Sequence, residues 1–123
     1  MDPAHCRIFL VDNDVRATKV LAQMLREDGF DVEITFDGAT AIARLGRDPL
    51  PDVLITNYQL PHVDGLSIVR VARSRSDRLP VLMITGYREV LEPAAKDFDP
   101  PIRIFGKPIA YAELLHELEP YKR

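Results

Sequence analysis

The sequence predicts an α/β fold in which helices cover both faces of a parallel β-sheet. Short apolar runs of strand length alternate with stretches whose apolar residues recur at helical spacing. The runs Ile8–Val11, Val53–Thr56 and Val81–Ile84 lack apolar–polar alternation, which is typical of central parallel strands. The chain carries five such strand–helix units, and successive units of this kind form a doubly wound sheet.

The first two units pair a strand with an amphipathic helix. The strand Arg7–Val11 is followed by polar residues that can cap a helix, and Asp28-Gly29 ends that helix. Val32–Phe36 alternates apolar and polar residues, which favours a strand near the sheet edge. Asp37-Gly38 begins the second helix. The apolar positions of these helices are Ala17, Leu21, Met24 and Leu25, then Ala39, Ile42, Ala43 and Leu45.

The last three units repeat this order of strand and helix. The third strand is Val53–Thr56, and Asp64-Gly65 begins a helix that presents an apolar face at helical spacing. Pro80–Thr85 is the fourth strand, followed by a short and weakly patterned helix over Glu89–Phe98. The fifth unit comprises the strand Ile102–Phe105 and the helix Tyr111–Glu119.

Composition restricts the class of protein. With 123 residues the chain has the size of one ordinary domain, so we expect residues 1–123 to form a single domain. Nineteen acidic and sixteen basic residues give a net charge of -3, unlike a strongly basic nucleic-acid-binding module. No apolar run approaches the roughly 20 residues of a membrane helix, and no secretory signal is visible. The single cysteine fits a reducing compartment, so we expect the cytoplasm.

Polar side chains follow the predicted strands at the edge of the sheet where ligands bind. Asp12 and Asn13 follow the first strand, Asn57 the third, Thr85 ends the fourth and Lys107 follows the fifth. The carboxyl ends of parallel strands meet at one edge, so we expect these side chains to lie close together. Such a set could hold a phosphate or a hydrated cation.

In their order and spacing, these positions resemble a response-regulator receiver domain of two-component signalling. In that family an acidic pair follows strand one and a phosphate-accepting aspartate ends strand three. A loop with proline and Asp-Gly follows, then a Thr or Ser ends strand four and Lys-Pro ends strand five. The matching residues here are Asp12-Asn13, Asn57, Pro61, Asp64-Gly65, Thr85 and Lys107-Pro108. The resemblance spans the chain and implies a flavodoxin-like fold, strand order 2-1-3-4-5, a cis Lys107–Pro108 peptide and a bacterial signalling role rather than an enzyme.

The residue at the acceptor position departs from this pattern. A carboxylate oxygen can attack phosphorus, whereas a neutral amide is a poor nucleophile, so Asn57 is predicted not to accept phosphate. The chain is therefore expected to be a non-phosphorylatable module, either a native pseudo-receiver or an Asp→Asn variant. The flanking L-I-T-x-Y-Q-L-P favours the variant, and a second neutral residue at Asn13 favours natural loss.

The resemblance also implies a Mg²⁺ site, formed by Asp12, Asn13, the acceptor and the backbone carbonyl of Gln59. Where the family pattern has three carboxylates, this chain keeps one, so we predict weak Mg²⁺ binding. Two carboxylates about 5 Å apart repel by roughly 3 kcal/mol at an effective dielectric of about 20, so the amides relieve repulsion without a metal. Asp14 is expected to cap a helix rather than compensate.

The resemblance assigns Thr85 and Lys107 to phosphate binding and an aromatic residue, three positions before the lysine, to the switch. That position is Ile104, which has no polar tip, so the usual coupling to Thr85 is not expected in its family form. The implied partners are a sensor histidine kinase, a phosphotransfer protein or an output protein, together with a second copy of the chain in a homodimer.

Two other function classes fit parts of the pattern. Asp12 and Asp14 are similar to the nucleophile and acid/base of a haloacid-dehalogenase-like phosphatase. Arg16, however, stands where that family prefers Thr or Val, and no acidic pair follows Lys107. A flavin or nucleotide binder of the same fold class is disfavoured, because the loops lack a glycine-rich phosphate cradle.

Overall fold

A computed structural model of the chain describes residues 5–122, and its strands and helices alternate throughout that range. The strands are β1 (Arg7–Val11), β2 (Asp31–Thr35), β3 (Val53–Asn57), β4 (Val81–Thr85) and β5 (Arg103–Gly106). The helices are α1 (Val15–Glu27), α2 (Gly38–Leu45), α3 (Gly65–Arg75), α4 (Arg88–Ala95) and α5 (Tyr111–Leu118), followed by a 3-10 turn at Glu119–Tyr121. No helix within residues 5–122 combines the length and apolar character needed to cross a membrane.

All strand pairs described are parallel, and the sheet order is β2-β1-β3-β4-β5. The predicted doubly wound fold and its 2-1-3-4-5 order are therefore confirmed. The register aligns Val11 with Thr35 and Thr56, and Thr85 with Gly106. The carboxyl ends of the strands consequently lie along one edge of the sheet, where the loops that follow them converge.

The sheet separates the described core into two apolar clusters. One lies under α2, α3 and α4 and includes Phe9, Leu54 and Ile68. The other lies under α1 and α5 and includes Ile8 and Leu114. Successive strand residues point to opposite faces, so the unbroken apolar runs supply both clusters. Burial of each such side chain contributes about 1.5–3 kcal/mol.

Aspartate residues cap the three helices that begin after β1, β2 and β3, at the carboxyl edge of the sheet. The carboxylates of Asp14, Asp37 and Asp64 accept hydrogen bonds from the backbone N–H groups of Ala17, Thr40 and Ser67, respectively. Each cap satisfies one of the N–H groups that a helix leaves open at its first turn. The loops after β1, β2 and β3 are thereby held in the sharp turns that begin α1, α2 and α3.

Several element boundaries differ from the sequence prediction. The helix expected over Glu89–Phe98 covers Arg88–Ala95 and contains Pro93, which has no N–H to donate and weakens the helix. The strands expected at Val32–Phe36 and Ile102–Phe105 shift by one residue, because pairing with the neighbouring strand sets their ends. The last helix ends at Leu118, and its final turn tightens into the 3-10 conformation.

The inner face of α1 also differs from the predicted one. Leu25 is buried as expected, but Ala17 is exposed and Leu21 is only half-buried. Ala22 and Thr18 are buried instead. The apolar periodicity therefore misplaces part of the inner face of α1.

Candidate functional site

Asp12 and Lys107 form an ion pair at the carboxyl edge of the sheet. The Lys107 ammonium donates to Oδ2 of Asp12 at 3.2 Å, and Oδ1 of Asp12 accepts the N–H of Asp14 at 3.1 Å. The backbone N–H of Lys107 donates to the carbonyl of Thr85 at 2.9 Å. The peptide between Lys107 and Pro108 is cis, as the resemblance implied. The first and last strands thus contribute opposite charges to one pocket.

The amide of Asn57 is buried between these strands and the following loop. Its Nδ2 atom donates to the backbone carbonyl of Gln59 at 2.8 Å and to Oδ1 of Asn13 at 3.3 Å. The N–H of Gly65 donates to the carbonyl of Tyr58 at 2.7 Å, which brings the start of α3 against the loop. Asn57 therefore contacts both Asn13 and Gln59.

Thr85 is buried at the end of β4, and its hydroxyl oxygen accepts the N–H of Tyr87 at 2.9 Å. Its place beside Lys107 is set by the parallel pairing of β4 with β5. Ile104 does not reach the pocket, because its side chain packs in the cluster under α4 with Leu91. The neighbouring Phe105 points to the other face of the sheet.

The ligand set fits Mg²⁺ poorly in this arrangement. The Asp12 carboxylate is engaged by Lys107, and the Gln59 carbonyl, the expected backbone ligand, accepts the Asn57 amide. Within the described residues, no group of three or more His, Cys, Asp or Glu side chains is placed to hold a metal ion. Mg²⁺ prefers an octahedral shell rich in anionic oxygen, which this pocket does not present.

The geometry does not favour the phosphatase alternative. Oδ1 of Asp14 accepts the N–H of Ala17 at 3.0 Å and so caps α1. The carboxylate proposed as acid/base is thus committed to the helix start. A general acid/base has to lie within hydrogen-bond reach of the group whose proton it transfers.

A cleft adjoining this pocket was not predicted from the sequence. It has a volume of about 430 Å³ and lies between α1 and the segment that joins β5 to α5. Asp12, Asn57 and Lys107 line it, together with aliphatic side chains of three strands. Periodicity identifies which residues face inward, but the spacing between two packed helices depends on the whole fold.

Comparisons with known proteins agree with this geometry. The family model for the response regulator receiver domain matches residues 8–119. Response regulator MprA of Mycobacterium leprae is 36% identical over 115 residues, covering 89% of this chain and 47% of that protein. The transcriptional regulatory protein TrcR of Mycobacterium tuberculosis is 36% identical over 91 residues, covering 74% of this chain and 35% of that protein. The chain thus spans about half the length, or less, of these curated relatives.

Solved structures show the same architecture. A response regulator receiver protein from Sinorhizobium medicae is 26% identical, with a TM-score of 0.82 over 94% of this chain and 92% of that chain. A CheY-like receiver domain protein from Methanospirillum hungatei shares 23% identity and the fold, with a TM-score of 0.81 over 93% of this chain and 90% of that chain. With the matched family model and the convergent strand-end residues, these similarities show that the chain belongs to the response regulator receiver domain family of two-component signalling.

Proposed function

We propose that this chain is a receiver domain that signals without accepting phosphate at position 57. The observation that carries the proposal is the Asn57 amide, which occupies the end of β3 and donates to the Gln59 carbonyl and to Asn13. An amide in this place offers no nucleophilic oxygen anion to phosphorus. The domain then acts through the proteins that bind its surface rather than through a covalent intermediate.

Around the two amides Asn13 and Asn57, the pocket keeps the other residues that the family pattern uses. Lys107 and Asp12 form their ion pair, and Thr85 lies at the end of the neighbouring strand. We assign phosphate binding to Thr85 and Lys107, as the family resemblance implies, in any form of the chain that carries a carboxylate at position 57. Ile104 is buried under α4, so we assign it a packing role and propose a switch without the usual aromatic movement.

The test is phosphorylation by a small donor, followed by measurement of the intact mass. The chain and its Asn57→Asp variant are incubated with Mg²⁺ and acetyl phosphate. In the variant, a carboxylate oxygen forms a bond to phosphorus while the bond from phosphorus to acetate breaks, and acetate leaves with the electron pair. We expect a gain of about 80 Da in the variant only, the mass of one phosphoryl group.

The matched control is Asn13→Asp, which adds a carboxylate to the same pocket but not at the end of β3. It should gain no mass. A mass gain on the unaltered chain would overturn the proposal and make Asp12 the first candidate acceptor. Absence of a gain in Asn57→Asp, and also in the Asn13→Asp/Asn57→Asp double variant, would show that the pocket has lost more than its nucleophile.

Further parts of the proposal concern the metal, the partners and the extent of the domain. We propose weak Mg²⁺ binding through Asp12, Asn13 and the Gln59 carbonyl. We also propose that residues 1–123 form one receiver domain that acts in the cytoplasm and catalyses no turnover. Its proposed partners are a sensor histidine kinase, a phosphotransfer protein or an output protein, and a second copy in a homodimer, without direct contact to nucleic acid.

A further inference from the structure

The cleft beside the pocket has the dimensions of a small-molecule site. Its volume of about 430 Å³ lies within the range of roughly 300–1,000 Å³ that is typical of ligand pockets. Leu10, Ile55 and Ile84 form its floor on the sheet. Ala17 and Leu21 of α1 line one side. The other side is closed by Pro108 and Ile109, which follow the ion-paired lysine.

The inner part of the cleft is apolar because its hydroxyl groups are already bonded. The Thr18 hydroxyl donates to the backbone carbonyl of Asp14 at 2.6 Å, and the Thr56 hydroxyl donates to the carbonyl of Asn57 at 3.0 Å. Ala17 is exposed although it lies on the side of α1 that faces the sheet. A hydrophobic body inserted there would cover aliphatic surface without leaving these hydroxyls unpaired.

The polar end of the cleft offers an ammonium group with free donors to an acid group on the ligand. Among the described residues that line it, Asp12 and Lys107 are the charged ones. The Lys107 ammonium has three donors, gives one to Asp12, and remains 38% exposed. Asn57 lines the same end as a neutral amide, so the repulsion that an acidic acceptor would exert on an anion is absent.

We propose that this cleft binds a small organic anion, with an aromatic or aliphatic body against Leu21, Ile84 and Ile109 and an acid group at Lys107. The exposed ammonium and the small volume of the cleft favour such a molecule over a protein partner. The ligand would bind reversibly at the end of the sheet where a phosphoryl group would otherwise lie. The inference rests on the cleft with Asn57 in place, and is independent of whether Asn57→Asp accepts phosphate.

The probes for this test are naphthalene-1-acetate and its neutral match, naphthalene-1-acetamide. The chain contains no tryptophan, so binding can be followed by the fluorescence anisotropy of the naphthyl group. We expect saturable binding of the acetate and weaker binding of the amide. The Lys107→Gln variant should still bind both naphthyl compounds but should lose the preference for the acetate.

Two substitutions in α1 test the location of the bound molecule. Ala17→Phe fills the cleft and should weaken acetate binding by roughly tenfold or more. Val20→Phe is the matched control, because Val20 is 55% exposed on the same helix and lies outside the cleft lining. It should leave binding unchanged, and thermal melting should show that both variants are folded.

Three results would overturn the inference. The first is non-saturable binding of both probes. The second is equal binding by Ala17→Phe and Val20→Phe. The third is a loss of self-association in Ala17→Phe, measured by sedimentation, while acetate binding is unchanged. That result would assign the cleft to a second copy of the chain.

Discussion

The side chain of Asn57 has the shape of the aspartate that the family places there, but its nitrogen donates where a carboxylate would accept. Both of its partners, the Gln59 carbonyl and Oδ1 of Asn13, are acceptors. A carboxylate in the same position would face them without a proton to share. The atom at this position therefore decides whether the side chain at the end of β3 donates a hydrogen bond to the loop that follows it.

This difference predicts how Mg²⁺ affects stability. Without a divalent cation, Asn57→Asp should lower the free energy of unfolding, because two acceptors lose their donor. Mg²⁺ at saturating concentration should then stabilise Asn57→Asp by about 1–3 kcal/mol and the unaltered chain by much less. Thermal melts with and without Mg²⁺ measure the difference, with Ca²⁺-free buffer and equal ionic strength as the control. Equal shifts in the two proteins would contradict the prediction.

At Gly65 the backbone leaves no space for a Cβ atom. A Cβ atom at this position would overlap the carbonyl oxygen of Asn57 and would lie 3.0 Å from the Cα atom of Tyr58. Backbone cannot yield as a flexible side chain can, so Gly65→Ala should lower the free energy of unfolding by about 1–3 kcal/mol. Urea denaturation provides the measurement.

Gly86→Ala is the matched control, because no described atom lies within 4 Å of its added Cβ. It should be neutral or stabilising by less than about 1 kcal/mol. If both alanine variants unfolded at the same urea concentration, the close approach of α3 to the end of β3 would not be a packing constraint.

Among the elements, α2 is joined to the rest of the fold by an arginine that the apolar pattern does not reveal. The Arg44 side chain is nearly buried and its Nε donates to Oε2 of Glu33 on β2 at 2.7 Å. Its other nitrogens donate to the backbone carbonyls of Arg47 and Pro49, at 3.1 and 2.8 Å. One guanidinium thus connects the helix, the edge strand and the loop before β3.

Replacement of this guanidinium should destabilise the fold. Arg44→Met keeps the aliphatic stem but leaves two carbonyls and a carboxylate without a donor, so we expect a loss of about 2–3 kcal/mol. Glu33→Gln keeps the two carbonyl contacts and removes only a charge at a partly exposed position, so its cost should be about 0–1 kcal/mol. Chemical denaturation compares them. A smaller effect in Arg44→Met than in Glu33→Gln would show that the loop contacts contribute little.

The central strands have stronger sequence signals than the elements near the end of the chain. The apolar runs of β1, β3 and β4 predict their strands and their central places in the sheet, because a doubly covered strand needs no polar face. The ends of α4 and β5 are less well predicted, since Pro93 and the pairing of β5 with β4 override the apolar pattern. Arg44 reads as a surface charge in the sequence, and its burial depends on a loop five residues further on.

The candidate site was predictable to a similar extent. Polar residues after parallel strands converge for a topological reason, so Asp12, Asn57 and Lys107 could be grouped before the fold was known. The direction of each hydrogen bond within this group could not be predicted, because it depends on the conformation of the loop after β3. The cleft behind the group depends on the distance between α1 and the segment after β5, which no short motif encodes.

At the scale of the whole molecule, the helices on the α1/α5 face are joined by a polar contact at their ends. The Tyr111 hydroxyl donates to Oδ2 of Asp28 at 2.6 Å, connecting the start of α5 to the end of α1. Burial, and then the hydrogen bond to Asp28, raise the pKa of Tyr111 above its ordinary value. The folded state therefore favours the protonated phenol more strongly than the unfolded state does.

This contact predicts an alkaline limit to stability. A raised pKa stabilises the fold fully below the unfolded value of about 10, and the contribution falls as the pH rises above it. Tyr111→Phe should lose about 1–2 kcal/mol at neutral pH and show a shallower decline at alkaline pH. Urea unfolding from about pH 7 to about pH 11 gives both quantities. An alkaline slope identical to that of the unaltered chain would exclude Tyr111 as the titrating group.

The ion pair between Asp12 and Lys107 joins residues that are 95 positions apart in the sequence. A contact of this span closes only after the intervening strands have assembled, because the entropy of the long loop has to be overcome first. A chain still being synthesised, or a form with β5 detached, has no Lys107 beside Asp12 and therefore lacks the charged end of the pocket. A partner that recognises this end of the pocket would therefore distinguish the complete fold from an unfinished one.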